Sequence, residues 1–290
     1  MKIPCKVIAE DIEASLKKQV LELKEKGKKP HLVDILIGDS SEQLSFVAIK
    51  QKMAKKLGIG FECAHYTHVP IFEKFANILK QISHDPKVTG IIIQQPLPPQ
   101  LQTDSLYRYI PVEKEIEGHK QKSPFHPPLG QAVLTVLKHI YSPPEKNESY
   151  IFDMVKDGMP LRKVLKHKKL VLIGRGITGG QPIGKTLTQL KINYLSINSK
   201  THEPQQYYRE ADILITAAGK KVLTKDMIAP GTVLVNVGLR KENEKLKGDY
   251  DEHEIATVAS QYTATPGGVG PLEVLYLFKN LLQATDLQLK

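Results

Sequence analysis

The chain has 290 residues, and its 41 lysines and arginines against 31 aspartates and glutamates give a formal net charge of +10. This length allows two ordinary domains, and no apolar run approaches the roughly 18 residues that a membrane span needs. The first residues, MKIPCK, lead into a charged helical pattern and lack the composition of a signal peptide. We therefore expect a cytoplasmic protein of two domains that does not enter a membrane.

Charge and cysteine content narrow the possible partners. A positive balance suits a nucleic acid, an acidic lipid or a polyanionic small molecule. The lysines are scattered, without a basic tail or an aromatic-rich RNA motif, so we do not expect nucleic-acid binding. The two cysteines, Cys5 and Cys63, are too few for a disulfide framework or a metal cluster, which predicts reduced thiols and no metal site.

Apolar strands and amphipathic helices alternate along the chain, which predicts α/β architecture with mainly parallel sheets. In the first half we predict a helix over 7–26, a strand over 31–37, a helix over 42–57, a strand over 61–66, a helix over 71–82, a strand over 88–93, a short helix over 105–109 and a helix that opens at 124–130 and runs through 141. Ser40 and Gln43 are spaced as a capping box before the second of these helices.

The second half begins with a polar segment, 142–168, which shows weak helical periodicity over 150–167 and predicts the domain junction. Beyond it we predict strands over 169–173, 192–197, 212–216 and 232–238, with helices over 183–190 and 272–284. This order of strands and helices is typical of a nucleotide-binding domain.

Lys50 shares an otherwise apolar helix stripe with Phe46, Met53 and Leu57. A lysine in such a stripe commonly extends its ammonium to solvent. The third predicted strand, 88–93, ends at Gln94 and a run of prolines. This end is the carboxyl edge of the sheet, where open α/β sheets bind ligands. Gln94 either satisfies loop backbone or faces a ligand there.

A glycine-rich segment joins a predicted strand to a predicted helix in the second half. Residues 170–182 read LVLIGRGITGGQP. Glycines at such a junction let the backbone turn tightly and approach a pyrophosphate, which the N–H groups of the following helix hold. A plain tight turn is the alternative, but the position between strand and helix favours a nucleotide site.

The end of the second strand indicates which nucleotide is bound. An acidic residue there would bind the ribose 2′-hydroxyl of NAD, but residues 198–201 read NSKT and contain no carboxylate. Arg175 in the glycine loop and Lys200 supply two cations. They are either solvated surface charges or ligands of a 2′-phosphate, and the pattern favours NADP.

With these segments identified, the chain resembles the bifunctional methylenetetrahydrofolate dehydrogenase/cyclohydrolase family. The most specific match is TPGGVGP at 265–271, while GIIIQQPLP at 90–98 resembles the second family signature. The segment FVAIK at 46–50 is similar to the family's Tyr-x-x-x-Lys. The glycine loop and segments 198–201, 211–214 and 232–238 resemble its nucleotide domain. The likeness covers most of the chain in the same order.

The resemblance implies an N-terminal α/β catalytic domain, a C-terminal Rossmann-type NADP-binding domain and a cleft between them that holds the substrate. We predict a folate-binding catalytic domain over 1–145 plus 272–290, with the last helix returning to it, and an NADP-binding domain over 146–271. The family further implies a homodimer whose substrates are tetrahydrofolate derivatives, including forms with a polyglutamate tail.

The implied activity is oxidation of 5,10-methylenetetrahydrofolate by hydride transfer to NADP, followed by hydrolysis of the methenyl product to 10-formyltetrahydrofolate. This activity belongs to one-carbon metabolism and purine biosynthesis. The hydride step needs positioning rather than a protein acid or base. The hydrolysis needs proton transfer, which a lysine can provide when desolvation and nearby positive charge lower its pKa.

The resemblance also assigns roles to residues of this chain. Lys50 matches the catalytic lysine, Gln94 positions it, Phe46 lies beside it in the substrate site, and Glu117 takes the place of an aspartate that holds the pterin. The pterin pocket is lined by Pro266, Gly267, Gly268, Val269, Gly270 and Pro271. The predicted cofactor-binding residues are Gly174, Arg175, Gly176, Gly179, Gly180, Pro182, Ser199, Lys200, Ala218 and Gly219, of which Arg175 and Ser199 match positions that meet the 2′-phosphate.

The sequence departs from the family pattern at four places. Phe46 replaces a tyrosine, Glu117 replaces an aspartate, the loop over 118–124 is short, and the segment 142–168 is long. Because the missing hydroxyl would orient Lys50 or a water, we expect Phe46 to weaken hydrolysis more than hydride transfer. A dehydrogenase with weak or absent cyclohydrolase, an inactive folate- or nucleotide-binding protein, and a basic nucleic-acid-binding protein are the alternatives.

Overall fold

The computed structural model describes residues 1–145, 148–243 and 245–288. The described chain divides into two compact units. Unit 1 comprises Met1–Ile12 and Leu129–Glu273, and unit 2 comprises Glu13–Pro128 and the last segment from Val274. The domain boundaries predicted from the sequence stay a prediction, and residues 146, 147, 289 and 290, on which they partly depend, lie outside the described residues.

The first half of the chain folds as the hydrophobic pattern predicts. Its elements are α1 (Cys5–Glu25), β1 (His31–Ile37), α2 (Ser41–Leu57), β2 (Gly60–Tyr66), α3 (Phe72–His84), β3 (Gly90–Ile93), a 3₁₀ segment at Asp104–Tyr109 and α4 (Pro128–Tyr141). Helix α2 begins where predicted, since the Ser40 side chain accepts a hydrogen bond from the Gln43 N–H. It ends at Gly58, whose φ of +72° is the left-handed conformation of a helix cap.

The second half contains elements that the sequence pattern did not reveal. Its elements are α5 (Gly158–Leu165), β4 (Leu170–Ile173), α6 (Gly180–Gln189), β5 (Leu195–Ile197), α7 (Pro204–Glu210), β6 (Ile213–Thr216), β7 (Val233–Asn236), β8 (Arg240–Glu242), β9 (Lys245–Lys247), α8 (Glu252–Ile255), β10 (Gln261–Tyr262) and α9 (Val269–Gln288). Helices α7 and α8 and the antiparallel pair β8–β9 are additions to the prediction. Helix α9 is longer than predicted at both ends, and β5 begins later than predicted.

Unit 2 is built on a three-stranded parallel sheet in the order β2–β1–β3. Alternate residues of the central strand β1, Val33, Ile35 and Ile37, enter a buried core with Phe75 and Leu79 of α3. Because side chains alternate along a strand, Asp34 lies on the opposite face of the sheet from this core. Asp34 is paired in register with Cys63 of β2 and Ile92 of β3.

Unit 1 is built on a five-stranded parallel sheet in the order β10–β7–β6–β4–β5. Strands β4, β6 and β7 are buried along their whole length, which explains why they are apolar except for the last residue of β6, Thr216, and of β7, Asn236. The carboxyl ends of neighbouring β4 and β5 lead into the glycine loop and into residues 198–201. The predicted nucleotide segments therefore meet at one edge of this sheet.

The long segment predicted as the domain junction packs onto unit 1 through specific polar contacts. Both the Ser149 hydroxyl and the Tyr150 N–H donate to an Asp11 carboxylate oxygen at 2.9 Å. Nearer the segment's end, Lys138 of α4 forms a 2.7 Å ion pair with Asp157. Among the described residues of this segment, regular helix is confined to α5, which is shorter than the periodicity over 150–167 indicated. No described helix is both long and apolar enough to cross a bilayer.

Candidate active site

The ammonium of Lys50 is held by two side chains from neighbouring strands. Lys50 Nζ on α2 donates to Gln94 Oε1 at 2.5 Å and to Asp34 Oδ2 at 2.7 Å. The Lys50 side chain is only 12% exposed, so the ammonium does not extend into solvent. The structure therefore brings Lys50 and Gln94 together, and it adds a carboxylate to the pair.

Gln94 satisfies loop backbone, which is one of the two roles that its sequence position left open, and it also contacts Lys50. Its side-chain Nε2 donates to the carbonyl oxygen of Gln95 at 2.9 Å, which satisfies loop backbone. Its backbone N–H continues the sheet by donating to the Ile35 carbonyl. Since these bonds fix the residue at the end of β3, its Oε1 faces Lys50 in a set orientation.

Asp34 is the site residue that the sequence reasoning missed. It is fully buried on the central strand β1, and no described residue donates a hydrogen bond to its Oδ1. Burial raises the pKa of the Asp34 carboxyl; attraction to Lys50 lowers this pKa in part, and the negative charge of Glu117 raises it further. A signal was present in the sequence, because Asp34 is the one carboxylate within the otherwise apolar run LVDILI.

Glu117 presents a carboxylate oxygen that lacks a hydrogen-bond donor among the described residues. This atom, Oε2, is buried and lies 3.6 Å from Nε2 of His119. The His119 ring stacks on Tyr107 with ring centroids 4.4 Å apart. Tyr107 and His119 were not predicted from the sequence. The Glu117 backbone N–H donates to the buried Glu115 carboxylate at 2.8 Å, which fixes the turn that carries Glu117.

Phe46 lies one helical turn before Lys50 on α2 and is partly buried. Its ring carries no hydrogen-bonding atom, so it supplies no polar contact for the ammonium or for a water. The polar contacts described for Lys50 Nζ come from Asp34 and Gln94.

The predicted pterin loop is partly helical. Helix α9 begins at Val269, so residues 269–271 form its first turn rather than a loop. Gly267 has a φ of +90°, and a Cβ on Gly268 would lie 2.3 Å from the Ala264 carbonyl oxygen. Both positions therefore require glycine for backbone reasons. Pro266, Gly267, Gly270 and Pro271 are exposed, while Gly268 and Val269 are buried.

In the glycine loop of unit 1, backbone segments approach each other closely at some glycines and leave open space at another. A Cβ on Gly174 would lie 2.3 Å from the Ala217 carbonyl oxygen, and one on Gly180 would lie 2.0 Å from the Gly174 oxygen. In contrast, a Cβ on Gly176 would meet no atom of the described residues within 4 Å. Helix α6 starts at Gly180, with Pro182 in its first turn. Tight glycines beneath an open surface at a helix N-terminus fit a pyrophosphate.

Of the residues predicted to meet a 2′-phosphate, Ser199 and Lys200 follow β5, and Arg175 of the glycine loop reaches β5 through Ser196. Arg175 donates from Nε to the Ser196 hydroxyl at 3.0 Å and from an NH2 group to the Ser196 carbonyl at 2.6 Å. Ser199 and Lys200 are exposed in the following turn, which the Asn198 side chain closes by accepting from the Lys200 N–H at 2.9 Å. Three groups suited to bind phosphate therefore share one edge.

Ala218 and Gly219 lie in the loop after β6, and a buried carboxylate shapes this loop. The oxygens of Asp249 accept from the N–H groups of Ala218 at 2.8 Å and Lys220 at 3.1 Å. Burial raises the pKa of Asp249, and these hydrogen bonds oppose that effect. Gly219 has a φ of +67°. Sequence reasoning did not find Asp249, since it lies far along the chain from the loop.

Comparison with known proteins gives matches over most of the chain. Residues 3–117 match the catalytic domain of tetrahydrofolate dehydrogenase/cyclohydrolase, and residues 152–289 match its NAD(P)-binding domain. The bifunctional protein FolD of Staphylococcus aureus strain JH9 is 32% identical, over 98% of this chain and 96% of that protein.

Solved structures agree with this assignment. The bifunctional FolD enzyme of Campylobacter jejuni has a TM-score of 0.86 at 26% identity, covering 100% of this chain and 99% of that one. The FolD of Trypanosoma brucei, solved with NADP and an inhibitor, shares the fold with a TM-score of 0.84 at 23% identity, covering 100% and 98%. The chain therefore belongs to the tetrahydrofolate dehydrogenase/cyclohydrolase family.

Proposed function

We propose that this chain oxidises 5,10-methylenetetrahydrofolate with NADP and hydrolyses the methenyl product to 10-formyltetrahydrofolate. The observation that carries the proposal is the buried contact between Lys50 Nζ and Gln94 Oε1, at 2.5 Å, in a member of this family. A lysine held in this way is a group that can move protons beside a bound folate. The other residue roles below are part of the same proposal.

In the oxidation, the task of the protein is to hold and orient. NADP, when bound, supplies the hydride acceptor. The backbone at Gly174, Gly176, Gly179 and Gly180 would hold its pyrophosphate, and the open space at Gly176 supports this role. Arg175, Ser199 and Lys200 would hold the 2′-phosphate, which favours NADP over NAD. Lone pairs of the folate nitrogens expel the hydride, so this step needs no protein acid or base.

In the hydrolysis, Lys50 handles the protons. Water adds to the methenyl carbon, the bond from that carbon to one ring nitrogen breaks, and that nitrogen leaves with a proton. Water contributes two protons in total, one to the nitrogen and one to solvent, so the cationic substrate gives a neutral product. Lys50 Nζ relays the proton between the attacking water and the leaving nitrogen, while Gln94 keeps Nζ in place.

Glu117 is the residue that we assign to the pterin. Its Oε2 is a buried acceptor without a donor among the described residues, and burying an acceptor without a partner is costly. The N–H groups on the aminopyrimidine edge of a pterin would supply donors of the matching chemistry. The assignment of Glu117 to the pterin supports a folate, rather than a nucleotide, as the substrate bound by unit 2.

A dehydrogenase with weak cyclohydrolase is the second candidate function. Phe46 favours it, because the ring beside Lys50 cannot orient a water or the ammonium. The two candidates differ in the ratio of the two rates, and both require the same folate site.

Three further statements belong to the proposal and rest on family resemblance. The chain forms a homodimer, acts in the cytoplasm, and supplies one-carbon units to purine biosynthesis. Exposed Lys52 and Lys55 on α2 would attract a polyglutamate tail, whereas Lys56 is already paired with Glu13 at 2.5 Å.

The test is a pair of rate measurements on the purified chain. NADPH formation from methylenetetrahydrofolate is measured with NAD as the comparison, and hydrolysis is followed by the loss of methenyltetrahydrofolate. We expect NADP to be preferred, and Lys50→Met to slow hydrolysis by about 10²-fold or more. Absence of both activities would contradict the proposal, and hydrolysis unaffected by Lys50→Met would remove Lys50 from it.

A further inference from the structure

Asp34 is a carboxylate in a place where a carboxylate is costly. It lies in the centre of a parallel sheet, is 0% exposed and has apolar residues on both sides along the chain. Removing a charge from water is strongly unfavourable unless partners replace the lost hydration. Its Oδ2 has Lys50, but its Oδ1 has no donor among the described residues. Stability alone therefore does not account for this side chain.

The partner of Asp34 is the residue to which the proposed function assigns proton transfer. Lys50 Nζ lies 2.7 Å from Asp34 Oδ2 and 2.5 Å from Gln94 Oε1. These two acceptors arise from β1 and from the end of β3, which are hydrogen-bonded neighbours in register. Two acceptors fixed to one sheet define the position of the ammonium better than either could alone.

Phe46 explains why a second acceptor is needed. In the family pattern that the sequence resembles, a tyrosine hydroxyl stands at this position, one turn before the lysine. Here the ring has no polar atom, and Asp34 on the sheet provides an additional acceptor.

We propose that Asp34 is a positioning residue for the hydrolytic step, which fixes the Nζ of Lys50 against Gln94. This inference rests on the proposed function, since it requires Lys50 to act in the hydrolysis.

Three other titratable groups bear on the pair. Cys63 of β2 is the register partner of Asp34, and its pKa is raised by burial first and by the charge of Asp34 second. Glu117 adds a negative charge that raises the pKa of Asp34. Glu62, which precedes Cys63 on β2, raises the pKa of the Cys63 thiol. None of the three is a hydrogen-bond partner of Lys50 Nζ in the described structure, where the acceptors are Asp34 and Gln94.

The experiment compares hydrolysis and dehydrogenation in the parent, Asp34→Asn and Glu13→Gln. Asparagine keeps the shape of the side chain and removes its charge. We expect the ratio of hydrolysis kcat to dehydrogenase kcat to fall about tenfold in Asp34→Asn, since Lys50 is less well held.

Glu13→Gln is the matched control, because it also removes the carboxylate of a lysine ion pair in unit 2, one that does not include Lys50. Its ratio should equal that of the parent. An unchanged ratio in Asp34→Asn overturns the inference. If Lys50→Met leaves hydrolysis intact, the proposed function has failed instead.

A second measurement covers the case in which Asp34→Asn does not fold. The ¹³Cγ resonance of Asp34 is titrated in the parent enzyme and in Lys50→Met. We expect the midpoint to lie at higher pH in Lys50→Met, because the attraction that lowers it is gone. An identical midpoint in both proteins would show that the two groups do not interact in solution, which overturns the inference.

Discussion

The Cα of Gly180 lies so close to Gly174 that a Cβ added to Gly180 would stand 2.0 Å from the Gly174 carbonyl oxygen. No rotamer change can relieve this contact, because the obstructing atom belongs to the backbone. Position 180 therefore requires glycine because only a hydrogen atom fits between the first turn of α6 and the glycine loop. The conformational flexibility of glycine is not the reason.

Gly180→Ala should accordingly destabilise unit 1 by roughly 2 to 4 kcal/mol. The matched control is Gly176→Ala in the same loop, where a Cβ meets nothing within 4 Å, and its stability should lie within about 0.5 kcal/mol of the parent. Chemical denaturation of the three proteins measures both values. Equal stability of the two variants would show that the loop is not packed as described.

Phe46→Tyr should raise the rate of hydrolysis relative to the rate of dehydrogenation. The added hydroxyl lies one turn before Lys50 and can orient the ammonium or an attacking water. We expect the ratio of the two kcat values to rise about tenfold, at the low end of what a positioned proton-transfer group contributes. Phe46→Leu, which adds no hydroxyl, is the control. A rise in dehydrogenation alone would contradict the role given to position 46.

The features that the sequence predicted correctly are those encoded over short distances. The runs at β1, β3 and β4 are apolar enough to be identified as buried strands, and the helix spacing of Lys50 with Phe46 is a local property. The glycine pattern at 174–180 is also recognisable in the sequence, because the tight turn, the close backbone approach and the helix start all lie within one segment.

The features that were missed depend on which segments become neighbours. Asp34 can be identified as a site residue only when α2 is known to place Lys50 over β1, and the sequence alone does not give that contact. Asp249 shapes the loop at Ala218 although strands β7, β8 and β9 lie between the two residues in the sequence. The short elements α7 and α8 were also missed, because a single turn or two of helix leaves little periodicity to detect.

Glu117→Gln should raise the KM for methylenetetrahydrofolate by about tenfold or more, because an amide replaces one charged acceptor oxygen with a donor. Glu117→Asp keeps the charge and should restore most of the affinity. The exposed Asp104 provides the control, since Asp104→Asn removes a charge from the same unit without changing the turn that carries Glu117. Steady-state kinetics on the three variants checks this, and equal KM values for Glu117→Gln and the parent would remove Glu117 from the folate site.

Glu13 should make the stability of unit 2 sensitive to acid. Its carboxylate pairs with Lys56 at 2.5 Å and Lys17 at 2.9 Å. Burial raises the pKa of Glu13, but the hydrogen bonds and charges of the two lysines outweigh burial and lower the pKa below its ordinary 4.5. A carboxyl with a lower pKa in the folded state stabilises the fold above the unfolded value, and this contribution is lost as pH falls through the folded value.

Glu13→Gln should therefore reduce the free energy of unfolding by about 1 kcal/mol at pH 7, and the difference from the parent should shrink steadily once the pH falls below 4.5. Glu10→Gln is the control, because Glu10 is 63% exposed and its nearest lysine ammonium lies 3.9 Å away. Its effect should be close to zero at every pH. Denaturation of the three proteins from pH 7 to pH 3 makes the comparison, and a Glu13→Gln difference that stays constant over this range would show that the lysines do not hold Glu13 ionised.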